Sequence, residues 1–181
     1  MILSDVAIKS LINEGQIKIY PLTEEIGCAS IDLHLGKEIF IYSTEVDYID
    51  ITKKPKGETV SIEPFNDSFL IPPYKFVLAH TEEIVSLGPR VAAMVTGVSS
   101  VGRLGLFVEN AGFIDPGFSG QITLELYNAQ DKPIRVKKGM RICQLVFFKL
   151  TGTPSKVYAG KYVGQIGVTP SRMHEEFKDK N

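Results

Sequence analysis

The sequence predicts a mostly β fold of the sandwich, jelly-roll or barrel kind. Short apolar runs of strand length recur along nearly the whole chain, and clusters of Gly, Pro, Asn and Asp separate them. Only one segment, near the start, repeats its apolar residues at helical spacing. The alternating strand and helix patterns that a parallel α/β sheet needs are missing. At 181 residues the chain reads as one domain, spanning 1–181, large enough to bury a core without disulfide staples.

Taken in order, Ser4 is placed to cap a helix in which Val6, Ala7, Ile8, Leu11 and Ile12 recur every three or four residues, and Gly15 ends it. Strands are expected over Gln16 to Leu22, Ala29 to Leu35, Glu38 to Tyr42, Thr59 to Ile62, Tyr74 to Ala79 and Arg90 to Thr96. Two stronger segments follow, Gln121 to Asn128 and Arg141 to Leu150. In the first, a two-residue period sets Ile122, Leu124 and Leu126 on one face and Gln121, Thr123, Glu125 and Tyr127 on the other. Beyond Pro154 the alternation fades, so residues 156–181 are expected to form an arm with the freedom that chain ends often keep.

Composition narrows the function classes. A net charge of −1, with no basic run interleaved with aromatics, offers no field to hold a nucleic-acid backbone. Met1-Ile2-Leu3-Ser4-Asp5 lacks the basic region of a signal peptide, and no apolar run is long enough to cross a bilayer, so a cytoplasmic location is expected, with no membrane partner. Cys28 and Cys143 are far apart in apolar surroundings and read as buried thiols in a reducing compartment. His34, His80 and His174 have no metal-ligand spacing, and the His-x-Glu with Pro-Cys-x-x-Cys of zinc deaminases is absent; no zinc site and no direct protein ligand to a metal is expected.

The densest chemistry lies in Gly97-Val98-Ser99-Ser100-Val101-Gly102-Arg103-Leu104-Gly105 and in Ala111-Gly112-Phe113-Ile114-Asp115-Pro116-Gly117-Phe118, which runs into the strand that carries Glu125. Two glycine-bearing turns and a strand there can place polar groups around one small phosphorylated ligand. Each residue also has a plain structural reading. Ser99 and Ser100 can open a helical turn as caps, Asp115 can be a turn residue before Pro116-Gly117, and Glu125 can be a solvated strand residue. Gln144, inside an apolar strand, must find a hydrogen-bond partner.

The whole chain resembles the dCTP deaminases of the trimeric dUTPase superfamily, and most of all their bifunctional, dUMP-forming branch. The likeness rests on Met1 to Asp5, Ala29-Ser30-Ile31-Asp32-Leu33-His34-Leu35-Gly36, the two blocks above, Gly139-Met140-Arg141-Ile142-Cys143-Gln144-Leu145, and Gly160-Lys161-Tyr162-Val163-Gly164-Gln165. The resemblance implies a distorted jelly-roll β-barrel with a short N-terminal helix, a homotrimer with sites built across subunit boundaries, and a C-terminal arm that closes them. It implies that Glu125 activates water for attack on cytosine C4, that Arg103 contacts that glutamate or the pyrimidine region, and that Ser99 and the Ala111 carbonyl hold the water. Ser100, Lys161, Tyr162 and Gln165 match the triphosphate-binding set. Asp115 matches the carboxylate facing the sugar 3′-hydroxyl, Phe118 the aromatic under the deoxyribose, and Asp32 and Gln144 positions near the phosphates. Magnesium is implied as the partner of the triphosphate, held through phosphate and water.

Two departures stand out. Val98 occupies a position where the family normally has a phosphate-contacting arginine, and Gly112-Phe113 replaces the His-Arg of strictly dUTP-forming members. The implied activity is deamination of dCTP coupled to pyrophosphate removal, which supplies dUMP. A dUTP diphosphatase alone, or a weakened nucleotide-binding homologue caused by Val98, are the alternatives.

Overall fold

The computed structural model describes residues 1–22, 26–42, 47–54, 59–108 and 112–177. The expected helix is present as α1 (Asp5–Asn13), with the Ser4 hydroxyl accepting from the Ala7 N–H at 3.5 Å and Gly15 leaving it at φ +71°. Its apolar stripe buries Ile8 completely.

The rest is antiparallel sheet. The strands are β1 (Ile17–Tyr20), β2 (Ser30–Tyr42), β3 (Thr59–Ser61), β4 (Ser68–Ile71), β5 (Phe76–Leu87), β6 (Val91–Gly97), β7 (Leu106–Val108), β8 (Phe113–Ile114), β9 (Ser119–Asn128), β10 (Ile134–Lys137) and β11 (Arg141–Lys149). A four-residue helix, α2 (Ser99–Gly102), follows β6, and a 3₁₀ helix spans Met173–Phe177. Nine strands form one curled sheet in the order β7-β9-β5-β2-β11-β6-β8, with β1 also on β5 and β3 also on β2; β4 and β10 pair separately. The mostly β expectation holds.

Three departures from the sequence reading have physical causes. The two segments expected over Ala29 to Leu35 and Glu38 to Tyr42 are one strand, β2, because Gly36 is not a break. A Cβ there would lie 2.2 Å from the His80 ring, so the glycine admits the imidazole against the backbone. The strand expected from Tyr74 begins instead at Phe76, since Tyr74 has φ +55°, and it runs on to Leu87 through residues whose polarity resembles a turn. Apart from the exposed Glu82, that run is buried, and Thr81 and Glu83 find partners across the sheet. Glu83 accepts from the His34 backbone N–H at 3.0 Å and faces His34 Nδ1 at 2.5 Å, while the Thr81 hydroxyl donates to the Glu83 carbonyl and accepts from the Ile122 N–H. The short strands β4, β7, β8 and β10 carry too few residues to show a period in sequence.

The core forms where the apolar faces of β2, β5, β9 and β11 meet. Ile31, Leu33, Leu35, Val77, Ala79, Leu124, Leu126, Leu145 and Phe147 are all 2% exposed or less. Each large side chain buried there stabilises the fold by about 1.5–3 kcal/mol. Cys143 belongs to this core, but Cys28 is exposed, in the loop before β2, which corrects the expectation that both thiols are buried. That loop is held through its backbone, the Cys28 carbonyl accepting from the Asp5 N–H at 2.9 Å, so the thiol need not be inside.

Candidate active site

β9 alternates strictly between half-buried and buried residues, which turns Thr123, Glu125 and Tyr127 off the core face occupied by Ile122, Leu124 and Leu126. β9 pairs with β5 along most of its length, whereas β7 covers its other edge only at Leu126 to Asn128. The edge at Ser119 to Thr123 is therefore left for another segment, and the C-terminal arm takes it. Gly164 N–H donates to the Ser119 carbonyl at 2.7 Å, Gln121 N–H donates to the Gln165 carbonyl at 2.9 Å, and Thr169 N–H donates to the Thr123 hydroxyl at 3.2 Å. The Gln121 side chain accepts from Gly167 N–H at 2.6 Å, and the Gln165 amide donates back to the Gln121 carbonyl at 2.7 Å. Gly120 makes this approach possible: its φ of +154° suits glycine, and a Cβ would stand 2.8 Å from the Gln165 carbonyl oxygen.

The arm, the β8 to β9 turn and the polar face of β9 together enclose a cavity of about 420 Å³, within the range of small-molecule sites. Glu125, Asp115, Phe118, Tyr162 and Gln165 all line it. Asp115 enters from the turn, where its carbonyl accepts from the Phe118 N–H at 3.2 Å and Gly117 has φ +89°. Phe118 is 8% exposed, with its ring 6.3 Å from that of Tyr158. Tyr158 is tied down by its own N–H, which donates to the Pro116 carbonyl at 2.8 Å. Reading the sequence missed Tyr42, Phe76, Thr123 and Tyr158 as lining residues. The face alternation of β9 already marked Thr123, but nothing local marked the other three.

The remaining expected residues lie elsewhere. Ser99, Ser100 and Arg103 are exposed on α2 and its C-terminal cap, and none lines the cavity. The helical turn forms as anticipated, but its N-cap is Val98, with no side-chain cap bond, so both serine hydroxyls are left for other work. Val98 itself is half-buried and packs against the core. Gln144 accepts from the Ser30 hydroxyl at 3.0 Å, and Asp32 pairs with Arg141 at 2.9 Å. Lys161 pairs with Glu176. Ala111 lies outside the described residues. Its neighbour Gly112 lines the cavity, where a Cβ would stand 2.7 Å from Val95 Cβ, so the backbone there leaves no space for a larger residue without a shift. Among the described residues, no three His, Cys, Asp or Glu side chains gather as a metal cluster.

A family model described as dCTP deaminase-like matches residues 2–150. The chain belongs to the dCTP deaminase family. Within that family it is 54% identical over 183 residues to a protein of Aquifex aeolicus named dCTP deaminase, dUMP-forming, covering 99% of this chain and 100% of the relative. A protein of the same name from Hydrogenobaculum is 50% identical, covering 99% of this chain and 100% of the relative. The fold agrees with a crystal structure of 2′-deoxycytidine 5′-triphosphate deaminase from Agrobacterium tumefaciens, with a TM-score of 0.60 at 23% identity. That match covers 81% of this chain but 47% of the solved one, so the chain spans about half the length of that protein.

Proposed function

We propose that this family member deaminates dCTP and removes pyrophosphate, giving dUMP. The observation that carries the proposal is one cavity that unites Glu125, Asp115 and Phe118 with the arm residues Tyr162 and Gln165. In the reaction, Glu125 takes a proton from water as the oxygen bonds to cytosine C4 and passes it to ring N3; it then relays the proton of the new C4 hydroxyl to the amino group, so the C4–N bond breaks, ammonia leaves and the C4 carbonyl forms. A second water attacks the α-phosphorus, and the bond to the β-phosphate oxygen breaks to release pyrophosphate. Asp115 orients the sugar 3′-hydroxyl and that water. Phe118, braced by Tyr158, crowds the 2′ position, which favours deoxyribose. The bare backbone at Gly112, beside Phe113, supports the dUMP-forming course over the dUTP-forming one.

The position of α2 supports a site completed by a second copy. Ser99, Ser100 and Arg103 are exposed on a short helical turn and its cap and do not line the chain's own cavity, and a neighbouring protomer in a homotrimer would receive them beside Glu125. There Ser99 and the Ala111 carbonyl hold the attacking water and Arg103 keeps the carboxylate ionised. Ser100, Lys161, Tyr162 and Gln165 take the phosphates, with Gln144 and Asp32 nearby.

Magnesium fits this site as the ligand's own cation. The triphosphate and water supply the hard oxygens it favours, and no cluster of three His, Cys, Asp or Glu side chains among the described residues competes for it. When bound, it neutralises charge on the phosphate oxygens during the second hydrolysis. No helix among the described residues is long and apolar enough to cross a membrane, and we place the enzyme in the cytoplasm with the deoxynucleotide pool.

Incubation with dCTP and magnesium should yield ammonia, dUMP and pyrophosphate. Glu125→Gln should abolish ammonia release and still bind dCTP. Retained deamination in that variant removes Glu125 from the mechanism, and a dUTP product from the wild type removes the second step.

A further inference from the structure

Lys161 precedes Tyr162 in the arm, yet only Tyr162 lines the cavity. The Lys161 ammonium is held by the Glu176 carboxylate at 2.5 Å, with its nitrogen 5.8 Å from the centre of the Tyr162 ring. This bond raises the Lys161 pKa above its ordinary value. Glu176 belongs to the 3₁₀ helix Met173–Phe177, and the residue before that helix grips the same dipeptide. Arg172 donates from its guanidinium to the Lys161 carbonyl and from its backbone N–H to the Tyr162 hydroxyl at 2.9 Å. A tyrosine hydroxyl that accepts one hydrogen bond keeps its own hydrogen free to donate. The last described segment therefore leaves Tyr162 with a donor but binds Lys161 to an internal anion.

We propose that Glu176 is a built-in competitor for Lys161, and that a bound triphosphate exchanges the Lys161–Glu176 pair for a Lys161–phosphate pair, releasing the helix Met173–Phe177. The proposal rests on reading Lys161 as a phosphate-facing cation. A carboxylate and a phosphate oxygen are both anionic acceptors, and a single ammonium cannot give its full charge to both. The carboxylate is covalently tethered and always present at high local concentration, whereas the triphosphate brings more charge. Its arrival wins the exchange, and its departure as products lets Glu176 close on Lys161 again. One charge-assisted bond replaces another, so the lysine is not left unpaired in either state. Arg172 is the positioning residue that keeps Lys161 and Tyr162 together through the exchange.

The test uses the full-length protein with Glu176→Gln, Lys161→Met and the double variant. KM and kcat for dCTP are read from ammonia release, and hydrogen exchange is followed with and without α,β-imido-dUTP. The expected result is a KM about two- to fivefold lower in Glu176→Gln, the range that a part-exposed ion pair supports, with kcat within about twofold. The double variant should match Lys161→Met alone. On ligand binding, residues 158–169 should exchange more slowly and residues 173–177 faster. A purely structural clamp would protect both segments, and that outcome overturns the proposal. So does an unchanged or raised KM in Glu176→Gln when Lys161→Met raises it. An unchanged KM in Lys161→Met overturns the phosphate assignment of Lys161, and the exchange with it.

Discussion

Asn128, at the end of β9, is fully buried and joins three stretches of chain. Its amide nitrogen has two hydrogens but lies within 3.0 Å of three carbonyls, those of Ile71, Pro72 and Lys132, so one hydrogen is shared between two acceptors. Its amide oxygen accepts from the Gln130 N–H at 2.9 Å. Asn128→Ala removes all of these at once. Counting two carbonyls and one N–H as stranded, at about 1–2 kcal/mol each, gives a loss of about 3–6 kcal/mol. That is a large part of the 5–15 kcal/mol or so typical of a folded domain. With no tryptophan in the chain, urea unfolding is best followed by far-ultraviolet circular dichroism, at one fixed protein concentration because any oligomer adds to apparent stability. Asn128→Asp keeps an acceptor for Gln130 but sets a carboxylate against carbonyl oxygens, so it should be at least as unstable, and more so as pH rises through the carboxylate's range. A loss below about 1 kcal/mol in Asn128→Ala would refute the reasoning and show that water or relaxation replaces the amide.

Further expectations concern titration, thiols and the phosphate region. His80 is 2% exposed, and burial lowers its pKa despite the bond from Nδ1–H to the Thr81 carbonyl at 2.8 Å. The unfolded chain therefore takes up a proton near the ordinary imidazole value of 6.5 while the folded chain does not. Stability is fully present above that pH and falls as pH drops through 6.5 towards the folded value. Thermal melts of wild type and His80→Asn between pH 7.5 and about 5 should show a steeper decline in the wild type; parallel profiles would contradict this. Burial, followed by the nearby Glu83 and Asp32 charges, raises the Cys143 pKa well above the usual thiol range, while Cys28 is exposed. A thiol reagent should therefore titrate one cysteine in the native protein and both in denaturant, and a Cys28→Ser variant should show no fast native reaction. Val98→Arg should lower the KM for dCTP by about tenfold, the worth of one charge-assisted contact, and an unchanged KM in a folded variant would show that phosphate binding has no need of it.

Part of the cavity lining was readable because it is local. The glycine turn, Asp115, Phe118 and the two-residue period that turns Glu125 off the core face all lie within a short stretch, and the period of a strand fixes which residues share a face. The helix capped by Ser4 was readable for the same reason. The C-terminal half of β5 was not, since His80-Thr81-Glu82-Glu83 looks like a turn until His34, 49 residues away, supplies the partner for Glu83. Gly36 looked like a break until the His80 ring was found against it.

By itself, then, the sequence determined the strand-rich architecture, the core face of β9 and the cluster of polar groups at the central turn, because these depend on neighbours within a few residues. Tertiary structure alone decided that the arm fills the uncovered edge of β9, that Ser99, Ser100 and Arg103 stay exposed and out of the lining of the chain's own cavity, and that Lys161 meets Glu176. These are contacts between distant segments, set by which sheet edge is vacant and which partner is within reach, and no local pattern records them.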